Sequence, residues 1–579
     1  MARKSASTSD FGTHSLTLNR SNHRILAALT LAVGVAFPVM AIDCTVVFDL
    51  VLTDALIIDG TGAAAYTGSV GIKDGRIKLV GDAACNAAPN AISVEGKIVA
   101  PGFIDVHSHA DQALGTPETS GMPGLLYQGV TTAVFGVDGF GGLSDLLHLQ
   151  KAMTSGTVGV NTMAYVGHNS VRQNAMGMAN RDATVNELQA MKTEVRAAME
   201  AGAIGLSSGL MYLPGQYSPT SEVIELAKVT APYNGRYDSH IRNPTKDWLA
   251  SVAECLEIGR KAGAHAHVAH LKAVGLNNFG KSQLVIDLIN DELEKGYPIT
   301  ADVYPYDGAT TRPVLTLLRP GLSEKTTDLL SLAGNVFEQG IDQHPDKLAV
   351  EAALIEFWQG IGPDTLEWHA AKDATESPAD GIFSWIRAVG YGSMRVVVSK
   401  NKDLIGRMVV DIAAKKGISP FELFRQIGIS EGADALVTLG AIQGSEVADL
   451  INQPWAMVAS DGLEVNVTHP RGRGTFPRLI RRYSREWEVL SIEGAIHKIT
   501  GQPANYLGLK DRGVIRSGAI ADLVVFDPKE FRDTAGWTNP GDYAVGMHHV
   551  LINGDFALKG GKVSQNRLGR FIPYNNPAN

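Results

Sequence analysis

Two histidines, His107 and His109, stand two residues apart in the stretch GFIDVHSH. On an extended strand that spacing turns both imidazoles to one side, where they can chelate a single divalent cation. A second apolar run, TTAVFGVD, stops at a lone carboxylate, Asp138, set among glycines. Three more runs end in the same manner: GRYDSHIR carries His240, AHAHVAHLK carries His270, and WAMVASDG carries Asp461. Four histidines and two aspartates make a donor set suited to zinc. A cation held there lowers the pKa of water, and a carboxylate can take the water's proton. Each signal alone has a plainer reading: two polar residues at a strand end for the histidine pair, a turn cap for Asp138. No serine or cysteine stands in a recognisable nucleophile elbow.

These residues need elements to carry them to one place. Strand-like segments at 102–109, 131–138, 158–168, 203–210, 235–242, 264–272, 298–306 and 455–462 alternate with segments of helical period such as TVNELQAMKTEVRAAMEAG and KSQLVIDLINDELEKG. Eight strands alternating with helices predict a (β/α)8 TIM-like barrel, whose chemistry sits at the C-terminal ends of its strands. His107, His109, Asp138, His240, His270 and Asp461 all fall at such ends. About residues 310–450 separate strands seven and eight, too many for a loop, and predict an insertion that covers the barrel mouth.

Residues 45–100 and the C-terminal stretch share a texture of short Val/Ile-rich runs and turn signals, including the hairpin Lys73-Asp74-Gly75. They predict one small β-sandwich domain built from both ends. The organisation is therefore a segment at 1–41, a first β part at 42–100, a barrel at 101–500 and a second β part at 501–579. In the first segment, Arg20 and Arg24 precede an apolar run from Ile25 to Ala41 that ends Val39-Met40-Ala41. That is the form of a secretory signal cleaved after Ala41, with export to the periplasm or beyond and no stable membrane insertion afterwards.

The chain has 579 residues, a net charge of −9 and three cysteines, Cys44, Cys85 and Cys255. The charge gives a nucleic-acid role no support. Cys44 and Cys85 could pair after export, and Cys255, in a helical pattern, reads as a buried apolar residue. There is no C-x-x-C pair.

The strings PGFIDVHSHAD, GLSSGLMYLPG, YDSHIR, VAHLK, DVYPY, ASDG and HPRGRGTFPR resemble the amidohydrolase superfamily, and within it the D-aminoacylases, the N-acyl-D-amino-acid deacylases. The resemblance runs from about residue 45 to 565. It implies a hydrolase taking a small N-acyl amino acid as substrate, with one or two zinc ions. His107 and His109 would hold one ion, His240 and His270 the other. Asp461 would be general base and ligand. By the same resemblance the substrate carboxylate meets Tyr212, Lys272, Tyr304 and Arg471, with Thr310 at the place of a family serine and Arg473 as an alternative anchor. His168 would stand behind the site or be structural, and His469 would be structural. The chain departs from the family at one ligand: where D-aminoacylases carry Gly-Asn-Cys-Gly, with a ligating cysteine, it reads Gly136-Val137-Asp138-Gly139. A carboxylate is a harder ligand, able to bridge two ions, and it makes manganese or cobalt more plausible. No lysine ends strand four, where other amidohydrolases place a bridging one. Other substrates stay open: a D-dipeptide, a cyclic amide or a lactone on the same metal chemistry, or no substrate at all in a metal-free binding protein.

Overall fold

The computed structural model describes residues 47–81, 90–115, 118–313, 352, 355–356, 358–377 and 384–574. The proposed signal segment, Cys44 and Cys85 lie outside the described residues. Cys255 is a free, buried cysteine.

Eight parallel strands form the barrel in chain order: Phe103–Asp105, Val130–Phe135, Asn161–Ala164 continued by Val166–Gly167, Gly205–Gly209, Arg236–His240, His265–Val268, Ile299–Val303 and Ala456–Val458. Each overlaps a segment expected from the sequence, the second starting one residue earlier, at Val130. The ring closes where Ser108 bridges Gly462. His109 N–H donates to Gly462 O at 3.0 Å and Asp461 N–H to His107 O at 2.9 Å. The bonds that close the barrel thus also fix the backbone of three candidate ligands.

Helices return the chain between strands. The helix Val185–Glu200 shows why it starts where it does. Thr184 Oγ accepts from Glu187 N–H, and the Glu187 carboxylate accepts from Thr184 N–H, a reciprocal cap that satisfies two otherwise orphaned donors. The next helix, Thr220–Thr230, has no such cap. Pro219 precedes it, and the hydroxyl of Thr220 donates to Glu254 instead.

Strands from both ends of the chain join in one nine-stranded sheet. The junction pairs Leu523–Phe526 antiparallel with Ile98–Pro101. Strand period separates its faces: Val524 and Phe526 enter the large core with Phe103, while Leu523 and Val525 join Leu52, Ile57 and Val70 in a second core. The hairpin at Asp74 and Gly75 has φ of 51° and 71°, the paired positive values of a type I′ turn.

The segment between barrel strands seven and eight carries its own structure. Ala309–Thr311, Leu436–Leu439 and Met394–Val398 form an antiparallel sheet, flanked by helices that include Trp385–Val389 and Pro420–Glu431. Among the described residues no helix is long and apolar enough to cross a membrane.

Candidate active site

Strand two is buried along its whole length and ends in a turn that presents Asp138. Gly136, Asp138 and Gly139 take φ of 67°, 56° and 80°. A side chain at Gly139 would put its Cβ 2.2 Å from Asn169 Oδ1 and 2.5 Å from Gly209 N, so glycine is required there. The left-handed conformation of Asp138 is held from outside. Ser207, on strand four, donates its hydroxyl to Gly136 O and accepts from Gly139 N–H, strapping the two ends of the turn together. Asn169 holds the neighbouring strand end through Gly209 N–H and Gly209 O.

The carboxylate of Asp138 points at four histidines. Its Oδ1 lies 3.4 Å from His107 Nε2 and 3.3 Å from His270 Nε2. Its Oδ2 lies 3.5 Å from His109 Nε2 and 3.4 Å from His240 Nδ1. Each oxygen therefore faces one member of each histidine pair. Asp461 approaches from strand eight, with Oδ1 3.3 Å from His109 Nε2 and 3.9 Å from His107 Nε2. Like Asp138, Asp461 and His270 have positive φ, 47° and 33°, so three donors stand on backbone held out of its relaxed range.

The donors form two overlapping sets: His107, His109, Asp138 and Asp461, and then Asp138, His240 and His270. The first can close four-coordinate; the second leaves a position for water or substrate, as catalytic sites do. The residues fit a cation on an internal observation. Among the described residues His107 Nε2, His240 Nδ1, His270 Nε2 and Asp138 Oδ1 are buried without a hydrogen-bond partner, which a folded protein rarely tolerates unless a ligand takes them.

Their electrostatics agree. Burial alone would raise the pKa of Asp138, but His107, His270 and His240 hold it well below the usual carboxylate range. Burial opposes charge on His107 and His109 too, yet the surrounding aspartates overcome it and lift His109 to about 9. Burial, reinforced by Lys272, brings His270 down to about 3. Two carboxylates thus draw protons onto two imidazoles, a charge balance that one divalent cation replaces.

The cavity above this cluster is lined by Tyr212, Lys272, Tyr304 and Arg471, the four substrate residues expected from the sequence, and by Thr310. Arg471 Nη1 lies 2.8 Å from Asp461 Oδ2 and its guanidinium 4.8 Å from the Tyr304 ring centre. Lys272 lies over the same ring at 4.9 Å and donates to His270 O at 2.7 Å. Burial first, and then Arg471, bring its pKa down to about 8. Arg473 points elsewhere, into a buried pair with Glu464 at 2.9 Å. His168 pairs with Glu222 at 3.0 Å, away from the six donors.

His469, expected from the sequence to be structural, also lines the cavity. Its Nδ1 accepts from Arg471 N–H at 3.0 Å, and its Nε2 lies 3.1 Å from Gly308 O. The insertion adds Thr311, Trp385 and Leu436 to the lining. None of these, nor Ser207, was singled out beforehand; a serine in GLSSGL carries no signal of a partner 71 positions away.

A profile described as Amidohydrolase family matches residues 398–557. N-acyl-D-glutamate deacylase of Alcaligenes xylosoxydans xylosoxydans is 30% identical over 528 residues, 87% of this chain and 93% of the relative. The crystal structure of N-acyl-D-glutamate deacylase from Bordetella bronchiseptica holds zinc and a phosphonate inhibitor that mimics the tetrahedral intermediate. It is 30% identical, with a TM-score of 0.70, covering 91% of this chain and 100% of that one. A D-aminoacylase structure, described by its binuclear metal centre, one-metal activation and second-metal attenuation, is 27% identical. Its TM-score is 0.71, covering 90% and 99% of the two chains. The chain belongs to the N-acyl-D-amino-acid deacylase family of the amidohydrolases.

Proposed function

We propose that the chain is a zinc-dependent hydrolase that removes the acyl group from N-acyl-D-amino acids. The observation that carries this is the placement of Asp138: each oxygen faces one histidine of each pair, while Asp461 and Arg471 stand on the same cavity. The relatives support it, being deacylases of this class in their own right.

A divalent ion held by these donors supplies a Lewis acid that polarises the amide carbonyl and makes water a better nucleophile. The protein's own residues do the rest. Asp461 accepts the proton of the water as its oxygen bonds to the carbonyl carbon. It then hands that proton to the amide nitrogen as the C–N bond breaks, giving a carboxylate and a free amino acid. Arg471 keeps Asp461 ionised, since its charge, with His270 and His109, outweighs burial and holds the carboxyl far below the usual range. Arg471 also offers its remaining donors to the substrate carboxylate, with Lys272, Tyr304 and Tyr212 around it. The apolar run Ile25–Ala41 supports action after export.

The test is release of amine from N-acetyl D- and L-amino acids, D-dipeptides, cyclic amides and lactones by the purified protein. Hydrolysis of the D series that stops on chelation and returns with zinc is expected. Activity confined to L substrates, or to cyclic amides and lactones, overturns the reading.

A further inference from the structure

Behind the donor cluster, inside the barrel, Asp302 is wholly buried on strand seven. Its Oδ1 accepts from the backbone N–H of His270 at 3.1 Å, at the residue where φ is 33°. Its Oδ2 lies 2.8 Å from His267 Nε2 and 3.7 Å from His107 Nδ1. The carboxylate therefore touches one ligand residue of each donor set, His270 through the backbone and His107 through the ring.

The position of Asp302 is itself fixed from below. His267 Nδ1 lies 2.8 Å from Thr300 Oγ, and Thr300 Oγ lies 3.0 Å from His265 Nε2. An ionised Asp302 only accepts, so a neutral His267 donates from Nε2 and must accept at Nδ1. The Thr300 hydroxyl then donates upward to His267 and accepts from His265. Every bond in the chain points toward Asp302. The His267 ring also stacks on Tyr506, centroids 4.8 Å apart, so its edges and one face are held.

His107 completes the argument. Once Nε2 serves a cation, its proton must sit on Nδ1, and ligating histidines donate that proton to a carboxylate, carbonyl or water. His107 Nδ1 is buried without a hydrogen-bond partner among the described residues. Asp302 is 3.7 Å away, and a shift of roughly 0.8 Å brings it to hydrogen-bond length. Asp238 is the other carboxylate within reach, but among the described residues no hydrogen bond orients either of its oxygens, and His267 Nε2 lies 4.0 Å from it against 2.8 Å from Asp302.

We propose that Asp302 is a positioning residue shared by both donor sets, orienting His107 through its ring and His270 through its backbone, and that His267 holds it in place. The inference rests on the cluster being a metal centre and is independent of which substrate enters.

The test is metal content per chain and affinity against a chelator, read beside the melting temperature, for the full-length protein. Asp302→Asn keeps the volume and removes the charge. It is expected to fold and to bind zinc 10- to 100-fold more weakly at both sets. His267→Gln is expected to weaken binding in the same direction by a smaller factor. With cobalt in place of zinc, both variants should shift the ligand-field bands. Glu222→Gln, which breaks the equally buried pair with His168, should lower the melting temperature and leave metal affinity unchanged. Wild-type affinity in Asp302→Asn overturns the proposal and makes Asp302 a packing residue. If that variant does not fold, wild-type affinity in His267→Gln overturns it equally. Failure of the substrate screen leaves both outcomes readable, because neither needs turnover.

Discussion

The two walls of the active cavity are built on different terms. One wall is the rim of the barrel. Five of its six donors are buried, from His107 at 0% exposure to His240 at 8%, and the side chain of the sixth, His109, is 16% exposed. They are fixed by strand register, by the bonds that close the ring and by straps such as Ser207. The other wall comes from the insertion, where the strand Ala309–Thr311 is only half-buried, Leu436 faces the cavity from the same small sheet and Trp385 from a short helix. The first wall supplies geometry that tolerates little change. The second supplies a surface that can vary without disturbing that geometry, the usual division between a scaffold and the loops it carries. On this contrast the barrel wall sets the reaction and the insertion sets what is accepted.

The largest effect should come from the base. Asp461→Asn removes a proton acceptor while keeping the shape of the side chain. Turnover is expected to fall by about 10²- to 10⁴-fold, the usual worth of general acid–base catalysis, with bound metal retained. Rates and metal content measured on the same preparation check it. Near-wild-type turnover would remove Asp461 from the mechanism.

Asp138 is next, because it belongs to both donor sets. Asp138→Ala is expected to lose zinc measurably from each, whereas Asp138→Cys restores a negative ligand at the position where the family's own cysteine stands and should retain zinc. Metal analysis after dialysis separates the two. Unchanged zinc in the alanine variant would reduce Asp138 to a turn residue and break the contrast at its centre.

The two walls were also unequally legible in the sequence. The barrel and its ligands could be read because five of the eight strand-like runs carry a candidate ligand, histidine or aspartate, at or near their ends, and eight strands alternating with helices leave one arrangement in which those ends converge. What lay behind the ligands could not. The His267–Asp302 contact joins residues 35 apart, and nothing in HAHVAH or ADVYPY marks one as the other's partner. The contacts of His469 were hidden for the same reason, since they run to the backbone N–H of Arg471 and to Gly308, the second across 161 positions. The insertion was legible only as a length. Trp385 and Leu436 are ordinary apolar residues until the fold turns them toward the cavity.

A smaller effect should separate the walls directly. Trp385→Ala opens the insertion side, and apolar pocket contacts discriminate between substrates by about 1–3 kcal/mol. The ratio of kcat/KM between a small and a bulky N-acyl substrate is expected to change by roughly tenfold, with metal content and metal affinity at wild-type values. A change in metal affinity would show that the insertion helps build the metal site and that the walls are not separate.

The smallest effect tests whether the barrel wall is built to wait for a cation. In the ion-free protein His109 is lifted to about 9, while an unfolded imidazole titrates near 6.5, and His107 is raised in the same direction. A group whose folded pKa is raised stabilises the fold fully below its unfolded value and loses that contribution as pH climbs through the folded one. Between pH 6.5 and 8 the ion-free protein should therefore lose stability, by up to about 1.4 kcal/mol per pH unit for each such imidazole. Lys272, brought down to about 8, acts with the opposite sign only above that window, so the two trends separate on the pH axis. Zinc takes the place of those protons, and the loaded protein should show a flatter profile over the same range. Melting temperatures with and without zinc at pH 6.5 and 8 check this, and a difference of a few degrees confined to the ion-free protein is expected. Equal slopes would mean that the imidazoles are not held protonated by Asp138 and Asp461, and that the cluster is less finely balanced for a divalent ion than its geometry indicates.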